Sequence, residues 1–150
     1  MKCIFKAILL FTLLMSFKST KAQVNLTELR PKLFSLLADK VNFPKNELEK
    51  VFTTTEGAMI QLSLADNIVF KGTVMASIQR YSNLQSTLIK LDNFDGTVFG
   101  ISKRINDDKS ISYVGRMINQ KYEDGYELTA DANGNYFIKK FKLEDLIQDR

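Results

Sequence analysis

Residues 60–79 read IQLSLADNIVFKGTVMASIQ, and their period decides the fold. Ile60, Leu62 and Leu64 alternate with Gln61 and Ser63. Beyond Ala65-Asp66-Asn67, Phe70, Val74, Ala76 and Ile78 alternate with Lys71, Thr73, Met75, Ser77 and Gln79. A period of two puts successive side chains on opposite faces of a half-buried strand. The same alternation from Ala58 onward predicts further strands over Thr87 to Leu91, Thr97 to Arg104, Ser110 to Ile118, Gly125 to Ala130 and Asn135 to Phe141. Between them lie the turn clusters Asp95-Gly96, Asn106-Asp107-Asp108, Glu123-Asp124-Gly125 and Asn133-Gly134, whose Asp-Gly and Asn-Gly pairs supply the positive φ of tight hairpins. Such short links make neighbouring strands antiparallel. Both prolines, Pro31 and Pro44, precede this region, which suits a sheet that cannot lose ladder donors.

Glycines inside the strands indicate curvature. Gly72 shares parity with Phe70 and Val74, and Gly115 with Tyr113 and Met117. Gly100 is a third case, on the Val98–Ser102 face. Glycine within a strand marks a bulge, a bend or a close backbone approach. The expectation is a strongly curved sheet with a shallow trough on its apolar face, lined by Phe70, Gly72, Tyr113 and Gly115 as candidate ligand-binding residues. The stretches Phe70 to Val74 and Tyr113 to Met117 echo each other (aromatic, any, Gly, any, apolar), a pattern that a duplication or any meander explains.

Upstream, Leu26, Leu29, Leu33, Leu36, Leu37 and Val41 recur at spacings of three and four, which predicts a helix over Asn25 to Lys40. Phe43-Pro44 ends it. Asn46 to Phe52 predicts a second, short helix that Thr53, Thr54 and Thr55 discourage from continuing. Leu143, Leu146 and Ile147 suit one amphipathic turn at the C-terminus. The long helix is the expected filler of the trough, because a one-sided sheet must bury that face. The fold class is therefore α+β: an N-terminal helix, then a curved antiparallel β-meander of about seven strands with barrel-like closure as its limiting form. A lipocalin-like barrel is an alternative outline, but it would normally place a Trp near its first strand, and the chain has none. A cystatin-like helix wrapped by a meander is closer in shape. Both are analogies of shape alone.

Met1 to Ala22 reads as a secretory signal peptide: Lys2 and Lys6, then the apolar run from Ala7 to Met15, then Thr20-Lys21-Ala22 before Gln23. The run is too short to span a bilayer, which takes about 20 residues. A single α+β domain over residues 23–150 follows, secreted or periplasmic after cleavage near Ala22/Gln23. Cleavage removes Cys3, the one Cys of the chain, and with it any disulfide or thiolate metal site. It also removes Lys2, Lys6, Lys18 and Lys21. Taking these four from 21 Lys+Arg leaves as many cations as the 17 Asp+Glu. That balance argues against a nucleic-acid partner and a polybasic membrane surface, and the mature chain has no stable transmembrane segment.

The chain has no His, which excludes Ser-His-Asp triads, Cys-His dyads and His-containing zinc sites. No Walker loop or G-x-G-x-x-G is present, so no cofactor is expected. Asp131 to Asn135 alternates oxygen ligands as a calcium loop does, but Gly134 and Lys142 fall where that motif needs other residues, and a hairpin turn explains it. No metal site is assigned. Asp107-Asp108 and Glu123-Asp124 are the acid pairs a glycan hydrolase would need. All four sit in predicted turns, where Asp is favoured for backbone reasons. No catalytic residue is assigned. The favoured function is a non-catalytic exported module that binds a small apolar ligand or a protein. The alternatives are a carboxylate-based glycan hydrolase and an envelope-associated structural protein held by an uncleaved N-terminal anchor. Natively produced protein is expected to have the intact mass of a chain that begins at Gln23; retention of Met1 to Ala22 would favour the anchored alternative.

Overall fold

The computed structural model describes residues 30–148. The export segment expected over Met1 to Ala22, and the first part of the helix predicted from Asn25, lie outside them. Eight strands make one antiparallel sheet curled into a half-barrel. They are β1 (Lys40–Asn42), β2 (Met59–Ser63), β3 (Val69–Tyr81), β4 (Leu84–Leu91), β5 (Thr97–Ile105), β6 (Ile111–Ile118), β7 (Asp124–Ala130) and β8 (Tyr136–Lys142), in spatial order β1-β8-β7-β6-β5-β4-β3-β2. Helix α1 (Lys45–Thr53) joins the two edge strands, and a short α2 (Asp145–Gln148) follows β8. Among the described residues no helix is long and apolar enough to cross a membrane. Strands β2 to β8 fall where the alternation predicts them; β1 does not.

The long N-terminal helix is corrected over its described part. Residues 30–39 are non-helical, and Lys40–Asn42 pairs with β8. The helical stripe counted Leu36, which is 97% exposed, and left out Phe34, which is fully buried. Phe34 sits between the rings of Phe94 and Tyr126, at 5.3 and 4.9 Å. The Asp124 carboxylate accepts the backbone N–H groups of Leu33 (2.7 Å) and Phe34 (3.0 Å). Packing and a charged acceptor from a distant strand thus override local helix propensity. Asp124 is correspondingly buried and opens β7, so the solvated Glu123-Asp124 turn is also corrected.

The expected short helix forms as α1. It begins at Lys45, where the Pro44 carbonyl accepts from Glu47 and Leu48 N–H. Its last turn is closed by Thr53 and Thr54, whose hydroxyls donate to the Lys50 carbonyl. Leu48 and Val51 point into the core. Two charged side chains of α1 also satisfy the free edge of β2: Lys50 Nζ donates to the Gln61 carbonyl, and Glu47 Oε2 accepts from Ser63 N–H at 3.1 Å. Glu47 and Lys50 pair with each other at 3.7 Å. An edge strand engaged in this way offers fewer free donors and acceptors for another chain to pair with.

The curvature inferred from the glycines is present. A Cβ on Gly72 would lie 2.2 Å from the Lys90 carbonyl oxygen, and one on Gly115 would lie 2.7 Å from that of Gly100. Gly125 behaves alike, 2.6 Å from the Met117 oxygen, and so serves close approach where the sequence suggested a turn. Gly100 itself faces outward, with Leu88 and Arg116 as cross-strand partners. The trough is filled by Phe34, Leu48 and Val51, which share one core with Phe70, Phe99, Tyr113, Met117 and Tyr126.

Gly72→Ala is expected to destabilise by at least the ~1–3 kcal/mol of an overpacked core, since backbone must move. Gly134→Ala, in open space at φ 78, is expected to lose only the ~1–2 kcal/mol of a left-handed backbone. Urea denaturation compares the two, and equal losses would contradict the curvature argument. A second expectation concerns alkali. The Tyr126 hydroxyl donates to the Ala38 carbonyl. Burial, then the charges of Asp39 and Asp124, push its phenol from 10.0 up to about 12. The folded chain keeps a proton that the unfolded chain releases, so stability falls as pH rises from 10 toward about 12. Tyr126→Phe is expected to flatten that fall in chemical denaturation series.

Candidate functional site

The four candidate ligand residues all lie on the inner face, on two strands. Phe70 and Gly72 are in β3, and Tyr113 and Gly115 are in β6. Phe70 is fully buried and meets the Phe94 ring edge-on at 5.1 Å. Gly72 lies against the β4 backbone and Gly115 against that of β5. Tyr113, 2% exposed, is the member with unused chemistry: its hydroxyl is buried and has no hydrogen-bond partner.

Tyr113 stands beside a break in the strand ladder. Strands β5 and β6 are in register along eight residue pairs, from Val98 with Ile118 to Ile105 with Ile111. Strands β6 and β7 share only three, ending at Gly115 with Leu128. Toward the β5–β6 hairpin the two strands therefore part. Tyr136, the first residue of β8, bridges the gap: its hydroxyl oxygen accepts the Tyr113 backbone N–H at 3.1 Å. That contact replaces a missing ladder bond and satisfies a buried donor. The Tyr113 ring lies 5.3 Å from Tyr136 and 5.7 Å from Phe52 of α1, which covers this end of the half-barrel.

The inner face at this mouth is mixed. Gln79, Gln85, Lys103 and Tyr113 are successive cross-strand partners from β3 to β6. Gln85 Nε2 donates to Ser77 Oγ (3.2 Å) and to the Phe52 carbonyl (3.5 Å). Ile105 and Ile111 pair at the rim with 42% and 38% of their surfaces exposed. Burial first, then the negative charge of Glu49 and a contribution from Tyr136, raises the Tyr113 phenol above its ordinary value. It therefore stays protonated near neutrality and keeps an unused donor proton.

The acids flagged in the sequence act as turn and backbone acceptors. Asp108 accepts from Ser110 Oγ (2.6 Å) and N–H (2.9 Å), bonds that hold its carboxyl below the usual range. Asp131 accepts from Asn133 and Asn135 N–H, each at 2.9 Å, and is lowered by the Asn135 bonds first. Glu123 pairs with Lys32 at 3.5 Å. A cleft of about 670 Å³ runs between the N-terminal arm and β8, lined by Lys32, Asp39, Lys140 and Lys142 among others. Three of the four lysines that line it are locally neutralised: Lys32 by Glu123, Lys140 by Asp39 at 3.0 Å and Lys142 by Glu144 at 3.2 Å, with Lys139 the fourth. The Tyr113 mouth holds the stronger claim, because an unpartnered buried hydroxyl costs about 1–3 kcal/mol.

Sequence reading singled out Tyr113 and not its neighbours Tyr136, Phe52 and Lys103. Tyr136 gives no sign beyond the favour of tyrosine for strands, and Phe52 and Lys103 show their role only once the register is known. The fold and site together define a curled antiparallel half-barrel with one edge-joining helix and an aromatic mouth. No protein-family model matches the chain, and neither curated proteins nor solved structures give a match.

Tyr113→Phe removes the unpaired hydroxyl and is expected to leave stability unchanged or raise it. Tyr136→Phe strands the Tyr113 N–H and is expected to lower it by about 1–3 kcal/mol. Thermal and urea denaturation distinguish them; a loss in Tyr113→Phe as large as that in Tyr136→Phe would mean that the hydroxyl is satisfied after all.

Proposed function

We propose that the chain is an exported, non-catalytic binding module that takes a small, largely apolar ligand at the mouth beside Tyr113. The observation that carries this reading is the Tyr113 hydroxyl, buried among aromatic rings with no acceptor, next to a parting of the sheet. A ligand acceptor atom would supply the bond the protein leaves unmade. The residue chemistry agrees, since the chain has no His and Asp108, Asp124 and Asp131 are all engaged by backbone N–H groups. Export rests on the apolar run and cleavage pattern of Met1 to Ala22.

A second reading places a protein partner on the outer face. Leu88, Val98 and Val114 surround Gly100 there and expose 43%, 44% and 61% of their surfaces. Exposed apolar side chains grouped on one face in this way mark interaction sites.

Nile red, a neutral dye with a carbonyl acceptor, tests the two together. Its fluorescence is expected to rise on the mature protein, and Tyr113→Phe is expected to weaken binding about tenfold or more while leaving the fold at least as stable. Binding that ignores Tyr113→Phe but vanishes in Val114→Lys would move the site to the outer face and overturn the mouth reading.

A further inference from the structure

Resting on that reading of the mouth, we infer that its ligand is an amphiphilic carboxylate, with the head group held by Lys103 and Tyr113 and the tail lying along Ile105 and Ile111. Three donors share the inner face in consecutive strands: Gln85 of β4, Lys103 of β5 and Tyr113 of β6, in direct register. Lys103 is half-buried, and among the described residues no carboxylate pairs with it. A half-buried ammonium in cross-strand register with a phenolic donor complements an anion, and charge-assisted hydrogen bonds are roughly twice as strong as neutral ones. Two residue pairs nearer the hairpin the chemistry changes: Ile105 and Ile111 sit opposite each other, partly exposed, on the same face parity as Lys103 and Tyr113. Polar donors within and apolar side chains at the rim describe a ligand with one charged end and one hydrocarbon end. Glu49 of α1 is the acid whose charge reaches Tyr113. It opposes an anion and so sets how tight binding becomes.

The test compares decanoate with 1-decanol, which share a chain and differ in the head, by calorimetry and tyrosine fluorescence on the mature protein. Decanoate is expected to bind about tenfold more tightly than decanol. Lys103→Met is expected to erase that preference, with decanoate falling to the affinity of decanol. Lys103→Arg is expected to keep it, and Glu49→Gln to widen it. Circular dichroism confirms that each variant is folded. Equal binding of the two ligands to the unaltered protein, or a preference that survives Lys103→Met, overturns the carboxylate inference and leaves the mouth standing. Failure of Nile red, decanol and decanoate alike removes the mouth itself.

Discussion

Carbonyl oxygens pressed against glycine Cα atoms set the shape of this molecule. At Gly72, Gly115 and Gly125 the neighbouring strand approaches so closely that a Cβ would fall 2.2–2.7 Å from a backbone oxygen. Such contacts are possible only where the strands coil tightly around a common inside. The concave face then needs filling, and one nine-residue helix together with the N-terminal arm is enough. A flatter sheet would ask for a longer helix, such as the one the leucine spacing suggested. The curvature explains why Phe34, Leu48 and Val51 suffice and why residues 30–39 need not be helical.

The arm is held by strand chemistry. Asp124 takes the N–H groups of Leu33 and Phe34, Tyr126 binds the Ala38 carbonyl, and Lys140 reaches the Leu37 carbonyl at 2.8 Å. Three side chains from β7 and β8 thus satisfy backbone groups of a segment without regular structure, which anchors the arm around the buried Phe34. The arm runs on into β1, β1 into α1, and α1 into β2. The two sheet edges are therefore consecutive in the chain, bridged by a helix whose Glu47 and Lys50 seal the second edge. Closure by helix takes the place of closure by strand pairing.

What was legible in the sequence followed from period and from glycine. Alternation located β2 to β8, and the parity of Gly72 and Gly115 showed that the sheet bends inward at those residues. What was not legible depended on partners far away in sequence. Asp124 looked like a turn acid because nothing local reveals that residues 33 and 34 come to it from 90 or so positions earlier. β1 has three residues, too few for a period, and it lay inside a leucine stripe that read as helix. Tyr113 was marked as a ligand residue for its place beside Gly115. The reason it stands out is instead the parting of β6 from β7, which no single strand's pattern encodes.

That parting and the curvature have a common origin. Gly115 and Gly125 bring β6 close to β5 and to β7 at the closed end, and the ladder between β6 and β7 stops at Gly115 and Leu128. Beyond it, two tyrosines divide the work of a missing strand. Tyr136 gives its hydroxyl oxygen to the Tyr113 backbone N–H and so satisfies a buried donor. The Tyr113 hydroxyl turns inward and binds nothing of the protein. If closing the gap were the sole requirement, phenylalanine at 113 would close it equally well without burying a lone donor. The buried hydroxyl is thus the point where the demands of the fold stop and where the ligand we propose would make its bond.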